Sequence, residues 1–173
     1  FSINGKAAGN APDVPENLKI NLLETPYGVP KDDLRFSWVF SDEDYSEKQS
    51  AYRIVIGEKA ADMAAENYLI DTGWVNSSKN SGVQIATDLL RDNELYYWSV
   101  QTKDTEGLEG ELSFPQAFST AVSGEWESIK GIWGSIDEDF MFLRHTFQTP
   151  DKEIEKAIAS VTASSPEPSR QFV

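Results

Sequence analysis

"LYYWSVQTKDTEG", residues 95–107, decides how this chain folds. Tyr96, Tyr97 and Trp98 stand in a row, apolar and polar residues then alternate, and a charged turn closes on Gly107. The aromatics could form a binding surface or line a buried strand. Alternation with a period of two places Tyr96, Trp98 and Val100 on one face and Tyr97, Ser99 and Gln101 on the other. Asp104 to Gly107 supply the residue types of a tight turn. A strand with one face in a core accounts for all of these features together.

The neighbouring segments read the same way. LKINLL (18–23), RFSWVF (35–40), AYRIVIG (51–57), YLIDTGWV (68–75), GVQIA (82–86) and PQAFST (115–120) are short runs of strand-forming residues separated by turn residues. KAADMAAEN (59–67) is the one good local helix former among them, about two turns long. Some seven short strands with turns between them predict an all-β antiparallel sandwich of the fibronectin type III or immunoglobulin type over residues 17–123. Residues 1–16, with Gly5, Gly9, Pro12 and Pro15 among small and polar neighbours, read as a flexible N-terminal segment or linker. From residue 124 a new series begins: EWESIKGIWGS, FMFLRHTFQ (140–148) and IEKAIASVTA (154–163). IEKAIASV fits a helix by composition and a strand by alternation. These are the opening strands expected of a second β-sandwich, truncated within 124–173, because two or three strands do not close a sandwich.

Composition removes several classes of function. Twenty-nine acidic residues against fifteen basic ones give a formal charge of −14, a field that repels phosphate backbones and anionic lipid. Nucleic acid is therefore not an expected partner. No apolar run approaches the roughly 20 residues needed to cross a bilayer, so no membrane contact is expected. The chain has no cysteine, which excludes disulfides, thiolate nucleophiles and cysteine-ligated zinc, and leaves the compartment open.

In LLRDNELYYWSVQTKDTEG the buried strand follows Leu90 by a short turn, with Tyr96 at its start. That arrangement resembles the corner of fibronectin type III modules, where a tyrosine hydrogen-bonds back to the backbone just upstream. If so, Tyr96, Trp98 and Val100 join Trp38 and Tyr52 as structural core, with Trp38 arriving from the opposite sheet and burying roughly 150 to 250 Å².

Taken in order, the segments resemble the N-terminal region of bacterial α-L-rhamnosidases, in which a fibronectin-like domain precedes a second β-sandwich. The matching residues are Glu24, Pro26 and Gly28 of E-x-P-x-G; Arg35, Ser37 and Trp38 of R-x-S-W; Gln49, Ala51, Tyr52 and Ile54 of Q-x-A-Y-x-I; and Asp71, Gly73, Val75 and Ser77 of D-S-G-x-V-x-S. Trp126, Trp133, Arg144 and Phe147 continue the pattern, while Thr72 and Gly134 depart from it. The resemblance implies that inverting hydrolysis of terminal L-rhamnose is carried by carboxylates in an (α/α)6 barrel further along a longer protein. That downstream catalytic domain is the implied partner, and no catalytic residue is assigned to this chain. Packing, substrate-rim contacts, rhamnose-containing glycans and a homodimer contact are the roles and partners that follow from it. The alternative is a free-standing carbohydrate-binding or adhesion module.

Asp42, Glu43, Asp44 and Glu47 read as solvated loop acids rather than a glycosidase pair, which needs a shielded site with its carboxyl groups about 6.5 to 9.5 Å apart. Neither that run nor Asp137, Glu138 and Asp139 has the spacing of a calcium loop, so no metal and no cofactor is expected. His145, the single histidine, reads as a strand residue without a chemical role. Asn76-Ser77-Ser78 matches a glycosylation sequon, a short and frequent motif. Trp74, Tyr97 and Trp126 are the less constrained aromatics and stand as candidates for sugar stacking or a domain interface.

Overall fold

A computed structural model describes residues 9–122 continuously, together with scattered positions between 144 and 159. Among the described residues seven strands follow in order: β1 (Glu16–Ile20), β2 (Phe36–Val39), β3 (Ala51–Gly57), β4 (Ile70–Asp71), β5 (Val75–Asn76), β6 (Leu95–Lys103) and β7 (Gln116–Ser119). A short helix, α1 (Ala61–Ala64), lies between β3 and β4. One sheet pairs β1 with β2, and Val83 extends it through a bridge to Phe36. The other runs β4-β3-β6-β7, with β5 also paired to β3, and every strand pairing is antiparallel. This is the all-β sandwich expected of the sequence.

The two sheets meet in one core. Phe36 and Trp38 come from one side, and Tyr52, Ile54, Ile56, Tyr96, Trp98 and Val100 from the other. The Phe36 and Trp98 rings meet edge to face at 4.8 Å, and Trp38 meets Tyr52 at 5.3 Å. Edge-on contacts of this kind add about 0.5 to 1.5 kcal/mol beyond the area buried. Tyr96, Trp98 and Val100 of β6 are buried. Ser99 is buried too, although alternation points it away from the core. Its cross-strand partner Val55 is equally inaccessible, so the outer face of the β3–β6 pair is covered at its centre.

Several boundaries differ from the expected ones for local reasons. β1 ends at Ile20 because Asn21 and Leu22 both take positive φ, 52° and 64°, a conformation that turns the chain out of the sheet. YLIDTGWV splits into β4 and β5 at Gly73, whose φ of 59° no extended strand accommodates. GVQIA contributes only the Val83 bridge, and α1 is a single turn. Ahead of β1, Pro12 and Pro15 are buried, and the Asp13 amide donates to Ser41 O, so the last residues of the expected linker pack on the domain. The expected second series of strands, with Trp126, Trp133 and His145, lies outside the described residues. Ile154 and Ile158, among the described positions there, are exposed and belong to no strand.

Candidate functional site

The quoted motifs turn out to be joints between strands. After Asn21 and Leu22 the first strand crosses to the other sheet, where Val29 bridges Thr120 in parallel. Pro26 O accepts the Ser119 amide, Gly28 N donates to Ser119 Oγ, and Val29 N donates to Ser119 O. Gly28 has φ of 67°, with no atom near its absent side chain, so glycine is required there by backbone conformation alone. Glu24-x-Pro26-x-Gly28 is thus the sheet-switching segment of the first strand.

Trp38 and Gln49 form a second joint. The Trp38 indole N–H donates to Gln49 Oε1 at 2.9 Å, and the Gln49 amide donates to the carbonyls of Ser77 and Lys79, both at 3.0 Å. A buried indole and a buried amide are satisfied together, and the 77–79 loop is tied to the core. Ser37 Oγ accepts the Gly82 amide in the same region.

At the third joint Asp71 receives Arg53 through two hydrogen bonds, 2.9 and 2.7 Å, and also accepts the Gly73 amide. The Arg53 hydrogen bond holds the Asp71 carboxyl below its ordinary range against the opposing effect of burial. Arg53 is correspondingly raised, and burial pushes the neighbouring Tyr68 hydroxyl up. Thr72, the departure from the expected serine, still supplies a hydroxyl: its Oγ1 accepts the Ile54 amide and donates to Gly73 O.

Of the candidate sugar-stacking residues, the two that are described, Trp74 and Tyr97, stand apart. Trp74 is half-buried, with Lys103 Nζ 4.2 Å above its ring and Lys103 paired to Glu109. Tyr97, also half-buried, pairs with Gly57 and Ala117. It stands six residues from Lys103 along β6, about 20 Å away. Trp126 lies outside the described residues. The acids of residues 42–47 serve the loop itself: Asp42 accepts the Asp44 amide, Asp44 accepts Asn10, and Glu47 accepts the Thr105 hydroxyl. Among the described residues no group of three His, Cys, Asp or Glu side chains is placed to hold a metal, and no helix is long and apolar enough to cross a membrane.

Two open clefts mark the surface. One of about 480 Å³ is lined by Asn21, Leu22, Asp33, Arg35, Ser37 and Ser81. Arg35 and Asp33 in it are exposed and paired to each other at 2.9 Å, so it contains no shielded carboxylate pair. The other, about 370 Å³, lies beside Phe114, Leu18 and Glu24.

Residues 15–124 match the family of the Rha78A-like, N-terminal immunoglobulin domain. The chain belongs to this family. The Rha78A-like domain is similar to the α-L-rhamnosidase of Formosa agariphila, 24% identical over 77% of this chain and 14% of that protein. It is also similar to the α-L-rhamnosidase of Streptomyces avermitilis, 27% identical over 63% of this chain and 11% of that one. Among solved structures, an α-L-rhamnosidase from Dictyoglumus thermophilum superposes with a TM-score of 0.62 at 26% identity, covering 69% of this chain and 13% of its own. The Streptomyces avermitilis enzyme complexed with L-rhamnose gives 0.58 at 26%, covering 62% and 10%. The chain thus spans about a seventh or less of the length of the curated relatives it matches. The three joints tie distant segments of the Rha78A-like domain together by hydrogen bonds, and sequence reasoning missed their roles because a motif names residues and not their partners.

Proposed function

We propose that this chain is the non-catalytic N-terminal accessory region of an α-L-rhamnosidase, a glycoside hydrolase that releases terminal L-rhamnose. The observation that carries this reading is the match of residues 15–124 to a domain of proteins many times longer. The geometry supports it, since the motif residues are consumed in holding strands together and the carboxylates near them are exposed or already paired. Residues 1–16 serve as its leading segment, 17–123 as the sandwich, and 124–173 as the start of a second sandwich that leads to the catalytic domain of the same polypeptide. Its work is to present a rigid face for domain packing, with contacts to the substrate rim, to rhamnose-containing glycans or to a second copy as further uses.

The test is turnover. An aryl α-L-rhamnoside should be left intact by the 173-residue chain and hydrolysed by a longer polypeptide that carries it. Turnover by this chain alone, lost on replacing one of its carboxylates, would overturn the reading. The free-standing glycan-binding module has thinner support, because Trp74 and Tyr97 lie at opposite ends of β6. It requires L-rhamnose at millimolar concentration to quench the tryptophan fluorescence of the isolated chain.

A further inference from the structure

Arg35 and Ser37 alternate with the inward Phe36 and Trp38, so they stand on the outer face of the smaller sheet. The cleft of about 480 Å³ opens there, within the roughly 300 to 1,000 Å³ of small-molecule sites. Arg35 holds the end of β1 through its backbone, giving its N–H to Asn21 Oδ1 and accepting the Asn21 N–H, both at 2.9 Å. Its side chain is directed elsewhere, to Asp33 beside the cleft. On the same cleft Leu22 is held at φ of 64° with its side chain 74% exposed. Leucine seldom adopts that conformation, and a strained turn that keeps an apolar side chain in water is the kind of feature found at ligand clamps.

The polar groups of the cleft offer donors and acceptors together without net charge. Arg35 Nη2 meets Asp33 Oδ1 at 2.9 Å, and Gln84 Nε2 donates to the same oxygen at 3.4 Å. Asp33 Oδ2 therefore keeps its lone pairs, and most of the five guanidinium N–H groups of Arg35 remain to donate. Both side chains are half-exposed or more. The Ser81 hydroxyl, 3.4 Å from that of Ser37, adds a group that both donates and accepts. An anion entering here would meet Asp33 and the field of a chain carrying −14, and a cation would meet Arg35. A neutral ligand with two adjacent hydroxyls satisfies both partners, one hydroxyl donating to the carboxylate and its neighbour accepting from the guanidinium.

We propose that this cleft binds one neutral sugar unit, with a vicinal pair of hydroxyls on Arg35 and Asp33 and an apolar edge, such as the methyl group of a 6-deoxyhexose, against Leu22. This deepens, and rests on, the reading of the chain as the accessory region of a rhamnosidase, and it gives the glycan contact a place that uses neither Trp74 nor Tyr97. The site is open and its ligand small, so binding belongs in the millimolar range.

The probe is methyl α-L-rhamnopyranoside, titrated into the nitrogen-15-labelled 173-residue chain. The amides of Arg35, Ser37, Ser81 and Gly82 should shift along one saturating curve while those of Trp74 and Tyr97 stay in place. Arg35→Met keeps the aliphatic stem, removes the donors and should weaken binding about tenfold. Asparagine tolerates the left-handed backbone, so Leu22→Asn keeps the turn and removes the apolar wall. That variant should bind more weakly and lose the preference for the rhamnoside over methyl α-L-mannopyranoside, which carries a hydroxyl in place of the methyl hydrogen. Shifts that do not saturate, shifts centred on Trp74 or Tyr97, or full affinity in both variants would overturn the proposal. Rhamnoside turnover by the chain alone would overturn the functional reading whatever the cleft does, and an empty cleft would leave that reading standing, so the two fail independently.

Discussion

The backbone N–H of Arg91 donates a hydrogen bond of 2.9 Å to the hydroxyl of Tyr96, five residues later. The ring of Tyr96 is buried against Phe118, their centroids 5.6 Å apart, so one side chain anchors both the turn before β6 and the β6–β7 pair. Tyr96→Phe keeps the ring and removes the acceptor, leaving a partly buried amide without its partner. Such a loss costs about 1 to 3 kcal/mol. Urea unfolding should show a lower midpoint with an unchanged slope, since the surface exposed on unfolding is the same.

Gln49 joins three groups that lie far apart in sequence. Gln49→Leu approximates its volume but strands the Trp38 indole N–H and the carbonyls of Ser77 and Lys79. The expected cost is about 2 to 4 kcal/mol, above that of Tyr96→Phe because more than one buried group loses its partner. Hydrogen exchange should localise the effect to the 77–82 loop and to β2, whose Trp38 amide donates to Asn80 O.

Two glycines should fail in different ways when replaced by alanine. At Gly28 there is open space but a φ of 67°, so Gly28→Ala strains only the backbone, at about 1 to 2 kcal/mol, and Gly28→Asn should cost less. At Gly110 the φ is ordinary, but a Cβ would come within 2.7 Å of Pro12 O. Gly110→Ala should therefore release the segment ahead of β1, read as faster exchange of the Asp13 amide with β3 and β6 unaffected. Equal behaviour of the two variants would contradict this account.

The Arg53–Asp71 pair gives stability a pH dependence of known sign. Asp71 is held below its ordinary pKa in the folded chain, so its contribution is present above the unfolded value and is lost as pH falls through the folded one. Both side chains are partly solvent-exposed, which limits the pair to about 1 kcal/mol or less. Asp71→Asn keeps an acceptor for the Gly73 amide and removes the charge. The difference in unfolding midpoint between wild type and Asp71→Asn should be visible at pH 6, begin to shrink only below roughly pH 4, and close as pH falls through the lowered folded pKa of Asp71.

How much of this was legible in the sequence follows from the range of each interaction. Alternation in residues 95–102 announced β6 and its buried face, because a strand's two sides differ by one position in sequence and need no partner to be read. The same logic gave β2 and β3. It failed at Ser99, since burial on an outer face depends on what neighbouring elements lay across it. It also failed at residues 68–75, where Gly73 and the Asx turn at Asp71 break a run that composition joins. The motifs named Gln49, Asp71, Gly28 and Ser37 without saying what they hold.

By itself the sequence determined an all-β sandwich, its core aromatics, its acidic surface, and by its ordered motifs the family it resembles. Those properties are local in the chain: period, composition and turn residues act over a few positions. Only the tertiary structure decided that the first strand changes sheets at Asn21 and Leu22, that Gln49 bridges Trp38 to the 77–79 loop, and that Trp74 and Tyr97 stand apart. Each of these depends on which distant segments the packed core brings within hydrogen-bonding distance, typically about 3 Å, and that is set by the three-dimensional arrangement of the strands rather than by any one of them.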